Sequence, residues 1–297
     1  MSALFDCTMI IPTRNRAEDV RVTVEKLIDA GLQETPMIVV DDQSDDPNAL
    51  KAALSRLPNH CVIRQEKRTG QAQARNIGLR NATTTYCLFL DDDAHIDNGD
   101  AMLNFMQQTL DSDVAVWRFE TIREYDGYRD GLPAELGAGF IPTFIGFGVL
   151  MHRERVLGVG GYRDFFCYRH EEDDLAMRII RAGFHIRYQP GVRFIHRHSG
   201  AARDDAEYAF LSARNIFLLY ALNFPLPAAP VYATLKSLSV IIKLRSHRRA
   251  RCVGLLKGWA IYVKRFRQRT PFSRVQLTAF KALRADLKNR IAACTTR

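Results

Sequence analysis

CLFLDDDAHID, residues 87–97, runs four apolar or near-apolar residues into three consecutive aspartates, with a fourth four positions further on. Adjacent carboxylates repel one another, and burying them unpaired is expensive. Either the three acids stand in water at a strand end, or something positive holds them. What surrounds the run decides between the two.

Upstream the arrangement recurs. CTMII (7–11) is followed by Pro12-Thr13-Arg14-Asn15-Arg16, and Pro12 reads as the stop of a short strand. MIVV (37–40) is followed by Asp41-Asp42-Gln43-Ser44, and YCLFL (86–90) by Asp91-Asp92-Asp93. Between these runs, residues 18–30, 47–57 and 71–81 read as helices, and 60–64 as a further short strand. In the first helix Val20, Val24, Leu27 and Ile28 form the apolar face, and Gly31 is a fitting end. Strands alternating with helices imply β-α-β units and an α/β fold: a mostly parallel sheet flanked by helices. Apolar runs without alternation fit strands covered on both faces. The carboxyl ends of parallel strands share one edge, where ligands bind, so the three polar clusters converge on one crevice.

Downstream the pattern loosens. Residues 114–119 and 145–152 read as strands, 120–140 as loop, 175–182 as a helix ended by Gly183, and 186–188 and 192–195 as short extended pieces. From about Ala206 the chain reads as helical and basic, interrupted by Pro225, Pro227 and Pro230. The charge divides at the same place. The net charge is +9, but residues 205–297 hold 18 Lys+Arg against 3 Asp+Glu, and residues 1–204 hold 24 against 30. The expected organisation is one domain over 1–204 and a basic helical region over 205–297 that meets a polyanion, either nucleic acid or an anionic membrane face. Six scattered cysteines without a C-x-x-C pair read as free thiols of a reducing compartment. The first residues show no basic stretch leading into a long apolar run, so a cytoplasmic location is expected.

Two acidic runs carry the chemistry. A D-x-D unit at a strand end aims two carboxylates at one hard divalent cation, Mg2+ or Mn2+, which also bridges phosphates; the plain alternative is a solvated turn. Glu171, Glu172, Asp173 and Asp174 open a helix. A carboxylate crowded by others gains proton affinity, which suits a general base; the plain alternative is acids favoured by a helix N-terminus. Arg178 can pair back to Asp174 one turn on. His196 and His198 follow an extended piece and, two residues apart, face one side of it; a lone histidine is more often structural, but two in a chain with a metal-type acid cluster point to one as a metal or phosphate ligand.

Together MIIPTRNR (9–16), MIVVDDQS (37–44), GQAQARNIGLRNA (70–82), YCLFLDDD (86–93), GVGGYRD (158–164), EEDDLAMRIIRAGF (171–184) and YQPGVRFIHRHS (188–199) resemble the family 2 glycosyltransferases, inverting enzymes of the GT-A fold. The resemblance covers roughly residues 7–200. It implies that Pro12, Thr13 and Arg16 shape the nucleotide pocket, that Asp42 accepts a hydrogen bond from the donor's base, and that Arg75 sits near the base or the phosphates. It implies that Asp93 and Asp91 are metal ligands, that Asp91 or Asp92 reaches the ribose, and that His196 closes over the metal–diphosphate group. The family's base lies in an E-D-x-D-L-x-x-R element. Here that element reads Glu171, Glu172, Asp173, Asp174, Leu175 and Arg178, so glutamate replaces the usual aspartate. Glu172 is the expected base, Glu171 the alternative, and Asp174 belongs to the same catalytic element. The implied reaction is direct, metal-dependent displacement from a nucleoside-diphosphate sugar to a hydroxyl of a glycan or lipid-linked acceptor. Uridine is the common base in this family; thymidine with rhamnose is the alternative, since HRHS and the basic tail are similar to those of rhamnosyltransferases.

Segment 246–269 mixes Lys and Arg with Trp259, Tyr262 and Phe266. Basic residues on one side and aromatics on the other fit a helix lying on an anionic membrane surface. The alternative is helices packed on the catalytic domain with a solvated basic face. A nucleic-acid-binding protein is disfavoured, because an acidic crevice repels phosphate. A sugar nucleotidyltransferase would need a glycine-rich loop where PTRNR stands, and no G-x-G-x-x-G marks a dinucleotide oxidoreductase.

Overall fold

The structure is a computed structural model that describes residues 5–124, 132–197, 205–244 and 246–295. β1 (Cys7–Thr13), α1 (Ala17–Asp29), β2 (Met37–Asp41), α2 (Pro47–Ala53), β3 (His60–Arg64), α3 (Gln71–Asn81) and β4 (Tyr86–Phe89) alternate as the apolar runs require. They lie in the order β3-β2-β1-β4, and all three ladders are parallel. α3 can lie close on β1 because Gly78 faces Ile10; a Cβ there would stand 2.4 Å from Ile10 Cγ2. The carboxyl ends of β1, β2 and β4 therefore share one edge, as the sequence predicts.

The sheet continues through β5 (Ala94–Ile96), α4 (Gly99–Met106), β6 (Val114–Arg123), β7 (Gly139–Phe140), β8 (Val149–His152), α5 (Arg153–Gly158), α6 (Glu171–Arg181) and β9 (His185–His196). Its second half runs β4-β8-β6-β9-β5, with β7 on β9. There only β6–β9 is parallel, so the sheet as a whole is mixed and its parallel character is concentrated in the first half. The extended pieces expected at 186–188 and 192–195 are one strand. Its register on β6 jumps from Phe119↔Gln189 to Glu120↔Arg193, and Pro190 and Gly191 fall in the skipped stretch. Such a bulge lets one strand bend without ending.

Pro12 does not stop β1; it pairs in register with Val40. On a parallel strand alternate residues turn their backbone groups to opposite neighbours. The Ile10 carbonyl accepts from Leu90 N–H on the β4 side, and the Thr13 carbonyl from Asp42 N–H on the β2 side. The missing Pro12 N–H thus faces the β4 side, where the ladder ends at Ile10↔Phe89, and leaves no broken pair.

Four helices follow: α7 (Asp205–Asn223), α8 (Ala228–Lys243), α9 (Arg248–Lys264) and α10 (Arg274–Thr295). The boundary expected at 204 falls among residues 198–204, outside the described residues, and packing crosses it. Phe166 and Met177 share one buried cluster with Phe217, Leu218, Leu222 and Phe272. Leu287 of α10 joins the cluster of Leu132, Leu136 and Ile179. On α9 Tyr262 is buried and the Trp259 ring lies 4.8 Å from that of Phe217, while Trp259 and Phe266 stay 37 % and 46 % exposed. Of the three aromatics expected on a membrane-facing side, only Tyr262 is turned into the protein. No helix among the described residues is long and apolar enough to cross a bilayer. All six cysteines are free.

Candidate active site

Positive groups do hold the aspartate run. Asp91 Oδ1 accepts from Arg75 Nη2 at 3.3 Å and from Gln71 Nε2 at 2.9 Å. Arg16 Nη1 sits between Asp92 Oδ1 at 3.0 Å and Asp93 Oδ2 at 3.1 Å. Thr13, at the end of β1, donates its hydroxyl to Asp92 Oδ2 at 2.9 Å. Burial pushes the Asp92 carboxyl up to about 7, and Asp93 and Asp91 push the same way; Arg16 and Thr13 oppose them without winning. The Asp92 carbonyl is tied down by Thr23 Oγ1 and Arg197 Nη2. Each acid thus meets a fixed partner on another element.

His196, at the end of β9, places Nε2 3.0 Å from Asp93 Oδ1. The ligand atoms of Asp91, Asp93 and His196 all lie within 4.8 Å of one another. Two carboxylates from the turn between β4 and β5 and one imidazole at the end of β9 are a fitting donor set for a hard divalent cation that keeps further positions for water or phosphate. His198 lies outside the described residues.

α6 begins beside this group. Arg75 is almost wholly buried, and its Nη1 lies 3.2 Å from Glu171 Oε1 and 3.4 Å from Glu172 Oε1. One guanidinium therefore bridges the metal-type acids and the α6 acids. It stacks toward the Tyr162 ring at 5.6 Å, and it fits only because residue 146 is glycine: a Cβ there would stand 2.0 Å from Arg75 Nη2. Glu171 is buried and its Oε2 has no partner among the described residues; the Glu172 side chain keeps 20 % of its surface exposed. Burial raises the proton affinity of both. The Glu172 charge adds to the effect at Glu171, and Arg75 opposes it at both.

The next two acids behave differently. Asp173 accepts from Thr143 Oγ1 at 2.7 Å and meets His170 Nδ1 at 2.8 Å. Burial pushes it up, but those bonds and the Arg284 charge hold it below the usual range. Asp174 is fully buried and carries Arg178 Nε on one oxygen and Arg163 Nη1 and Asn223 Nδ2 on the other. Burial is again overridden, here by two guanidiniums, and Asp174 also stays low. Asn223 ends α7, so this acid ties the C-terminal helices to α6.

The remaining expected residues are placed as follows. Pro12 is buried within β1. Asp42 accepts from the backbone N–H groups of Thr69 at 2.8 Å and Gly70 at 2.9 Å and from Gln65 Nε2 at 2.9 Å, so it braces the loop leading into α3. Asp91, Asp92, Asp93, Arg16, Arg75, Glu171, Glu172 and His196 come together; Asp174 turns away from the group. Sequence reasoning gave no role to Gln71 and Tyr162, although both stand in the quoted stretches 70–82 and 158–164, and it missed Gly146 and Thr143, which carry no local signal. A cavity of about 330 Å3 opens one residue along α6 from Glu172, between Thr143, His170, Asp173, Lys236 and Arg284.

Comparison with known proteins accords with this geometry. Residues 8–167, more than half of the chain, match the family model described as Glycosyl transferase family 2. Over 220 residues the chain is 30 % identical to the pre-mycofactocin glycosyltransferase of Mycobacterium tuberculosis, a match that takes in 67 % of this chain and 44 % of that protein. The chain thus spans less than half the length of that relative. It is 25 % identical over 261 residues to the amylovoran biosynthesis glycosyltransferase AmsB of Erwinia amylovora, covering 74 % and 83 % of the two chains. Its fold is similar to that of the mannosyltransferase PcManGT from Pyrobaculum calidifontis, solved with GDP-Man and Mn2+, at a TM-score of 0.58 and 18 % identity over 97 % of this chain and 86 % of that one. With a mixed sheet of GT-A type, acids at its strand ends and a family match over the same residues, the chain belongs to glycosyl transferase family 2.

Proposed function

We propose that the chain catalyses inverting transfer of a sugar from a UDP- or dTDP-sugar to a hydroxyl of a glycan or lipid-linked precursor, with Mg2+ or Mn2+ held by Asp91, Asp93 and His196. One observation carries this reading: a single guanidinium, Arg75, touches Asp91 on one side and Glu171 and Glu172 on the other, so cation-type acids and a base pair share one crevice. A divalent ion, when bound, supplies positive charge for the donor's diphosphate.

The remaining work falls to residues of the chain. Glu172, raised in proton affinity and partly exposed, takes the proton from the acceptor hydroxyl. The acceptor oxygen bonds to the anomeric carbon from the face opposite the diphosphate, whose bond breaks in the same displacement, so configuration inverts and no covalent enzyme intermediate forms. Glu171 is the more buried acid, and burial and the Glu172 charge raise its proton affinity well above the ordinary value, which favours the more exposed Glu172 as the base. Pro12, Thr13, Arg16 and Asp42 shape the nucleotide side. We assign Asp174 to holding α6 and α7 rather than to chemistry. The acceptor enters through the cavity beside Asp173, and a lipid-linked one places the reaction at the cytoplasmic face of a membrane.

Hydrolysis of a panel of UDP-, dTDP- and GDP-sugars by the purified protein, with and without Mn2+, tests the reading. Slow metal-dependent release of one nucleoside diphosphate, absent from Asp93→Ala, is the expected result and names the donor. No metal-dependent nucleotide binding with any of them would remove it.

A further inference from the structure

α8 and α9 carry apolar side chains on the side away from the protein. On α8, Ala229, Ala233, Ser237 and Ile241 are buried, and the Ser237 hydroxyl donates to the Ala213 carbonyl of α7. Val231, Leu235, Leu238 and Ile242 are exposed. At about 100° per residue they form one stripe roughly opposite the buried one. α9 repeats the device. Its contact with α7 is made through small residues: a Cβ on Gly254 would stand 2.3 Å from the Phe210 carbonyl oxygen, and one on Gly258 3.0 Å from Phe217 Cδ1. Its larger aliphatics, Val253, Leu256 and Val263, are 56 %, 70 % and 69 % exposed and again lie roughly opposite the buried side. Both helices pack on α7 and on one another.

The charge around these stripes has one sign. Residues 208–285 contain 15 Lys and Arg and no Asp or Glu. Lys236 and Lys243 on α8, and Arg248, Arg249, Lys257 and Lys264 on α9, are all exposed. A second copy of this chain would bring the same cations to the contact and be repelled. Aliphatic stripes on a surface whose charges are all Lys and Arg match the interface of an anionic bilayer, where apolar side chains enter the acyl boundary and cations meet phosphates. Neither helix is long and apolar enough to span.

We propose that the outer faces of α8 and α9 dock this protein on an anionic lipid surface through their aliphatic stripes. The docking stands apart from the transfer reaction and is tested separately. The full chain is floated with vesicles of phosphatidylcholine alone or of phosphatidylcholine with about a third phosphatidylglycerol, at low and high salt. Binding to the anionic vesicles, weakened by salt and absent from the neutral ones, is expected. Leu235→Asp and Leu256→Asp should each weaken it about tenfold or more, with melting temperature and donor hydrolysis unchanged. Lys257→Glu and Lys264→Glu should each cost about fivefold or more. Absence of vesicle binding overturns the proposal, as does binding indifferent to Leu256→Asp. Self-association of the chain that Leu256→Asp abolishes, seen by light scattering in place of vesicle binding, would assign the face to a second copy instead.

Discussion

Seven carboxylates stand in two runs, Asp91–Asp93 after β4 and Glu171–Asp174 at the start of α6, and the two runs are neutralised differently. In the first, each acid meets a cation from another element: Arg75 of α3 for Asp91, and Arg16 before α1 for Asp92 and Asp93. In the second, Asp174 takes two guanidiniums and an amide for itself, while Glu171 and Glu172 share one nitrogen of Arg75. The outcome follows the number of partners. Burial wins at Glu172, where a single shared cation opposes it, and charge wins at Asp174, two residues on. A run of like residues at a helix start is thereby split into an acid with raised proton affinity, to which we assign the chemistry, and an acid held ionised between two elements.

Replacing the two acids in turn is the strongest way to break that contrast. Glu172→Gln should lower kcat about a thousandfold while leaving Mn2+-dependent nucleotide binding in place, because only proton removal is lost. A loss under about tenfold would pass the role of base to Glu171. Asp174→Ala should instead destabilise the fold by about 3–5 kcal/mol, since it leaves Arg163 and Arg178 buried without their carboxylate. Chemical denaturation measures it, and a change below about 1 kcal/mol would show that Asp174 is not what holds α7 to α6.

A smaller change probes the cation that joins the runs. Gly146→Ala forces a methyl into the space of the Arg75 guanidinium, which is buried and has little room to shift. Overpacking of this kind costs about 1–3 kcal/mol. Displacing Arg75 also loosens its grip on Asp91 and Glu172 together, so melting temperature and kcat should fall in the same variant. A stable variant with full activity would mean that the bridge is incidental.

Much of this contrast was legible in the chain. Non-alternating apolar runs ending in polar clusters gave the parallel half of the sheet and the shared edge, because both follow from local pattern. The partners were not legible. Arg75 lies sixteen residues before Asp91 and nearly a hundred before Glu171, and only the sheet order brings them together. Pro12 read as a stop because its cost depends on where β4 ends, which the residues of β1 do not encode. β9 read as two pieces because Pro190 and Gly191 interrupt its pattern, while its ladder on β6 resumes beyond them. The inward turn of Tyr262 goes with Gly254 and Gly258, whose small size matters only once α7 lies against them. Asp42 read as a nucleotide contact, and its brace on Thr69 and Gly70 appears only with the loop in place.

The finest test of the contrast is along the pH axis, where the two acids move in opposite directions. Glu172 acts as a base only when ionised, and its proton affinity lies above the ordinary glutamate value of 4.5. As pH falls, kcat/KM should drop through that raised value, with the acid limb displaced upward from an ordinary carboxylate. Asp174 is depressed below its ordinary 3.8, so its contribution to stability is complete above 3.8 and is lost only as pH falls through the lower folded value. Activity should therefore vanish in a window where the fold is still intact. Rate and melting temperature measured on the same samples across the acid range decide it. If the two fell together, unfolding rather than protonation of Glu172 would set the acid limb, and the division of labour between the two acids would not hold.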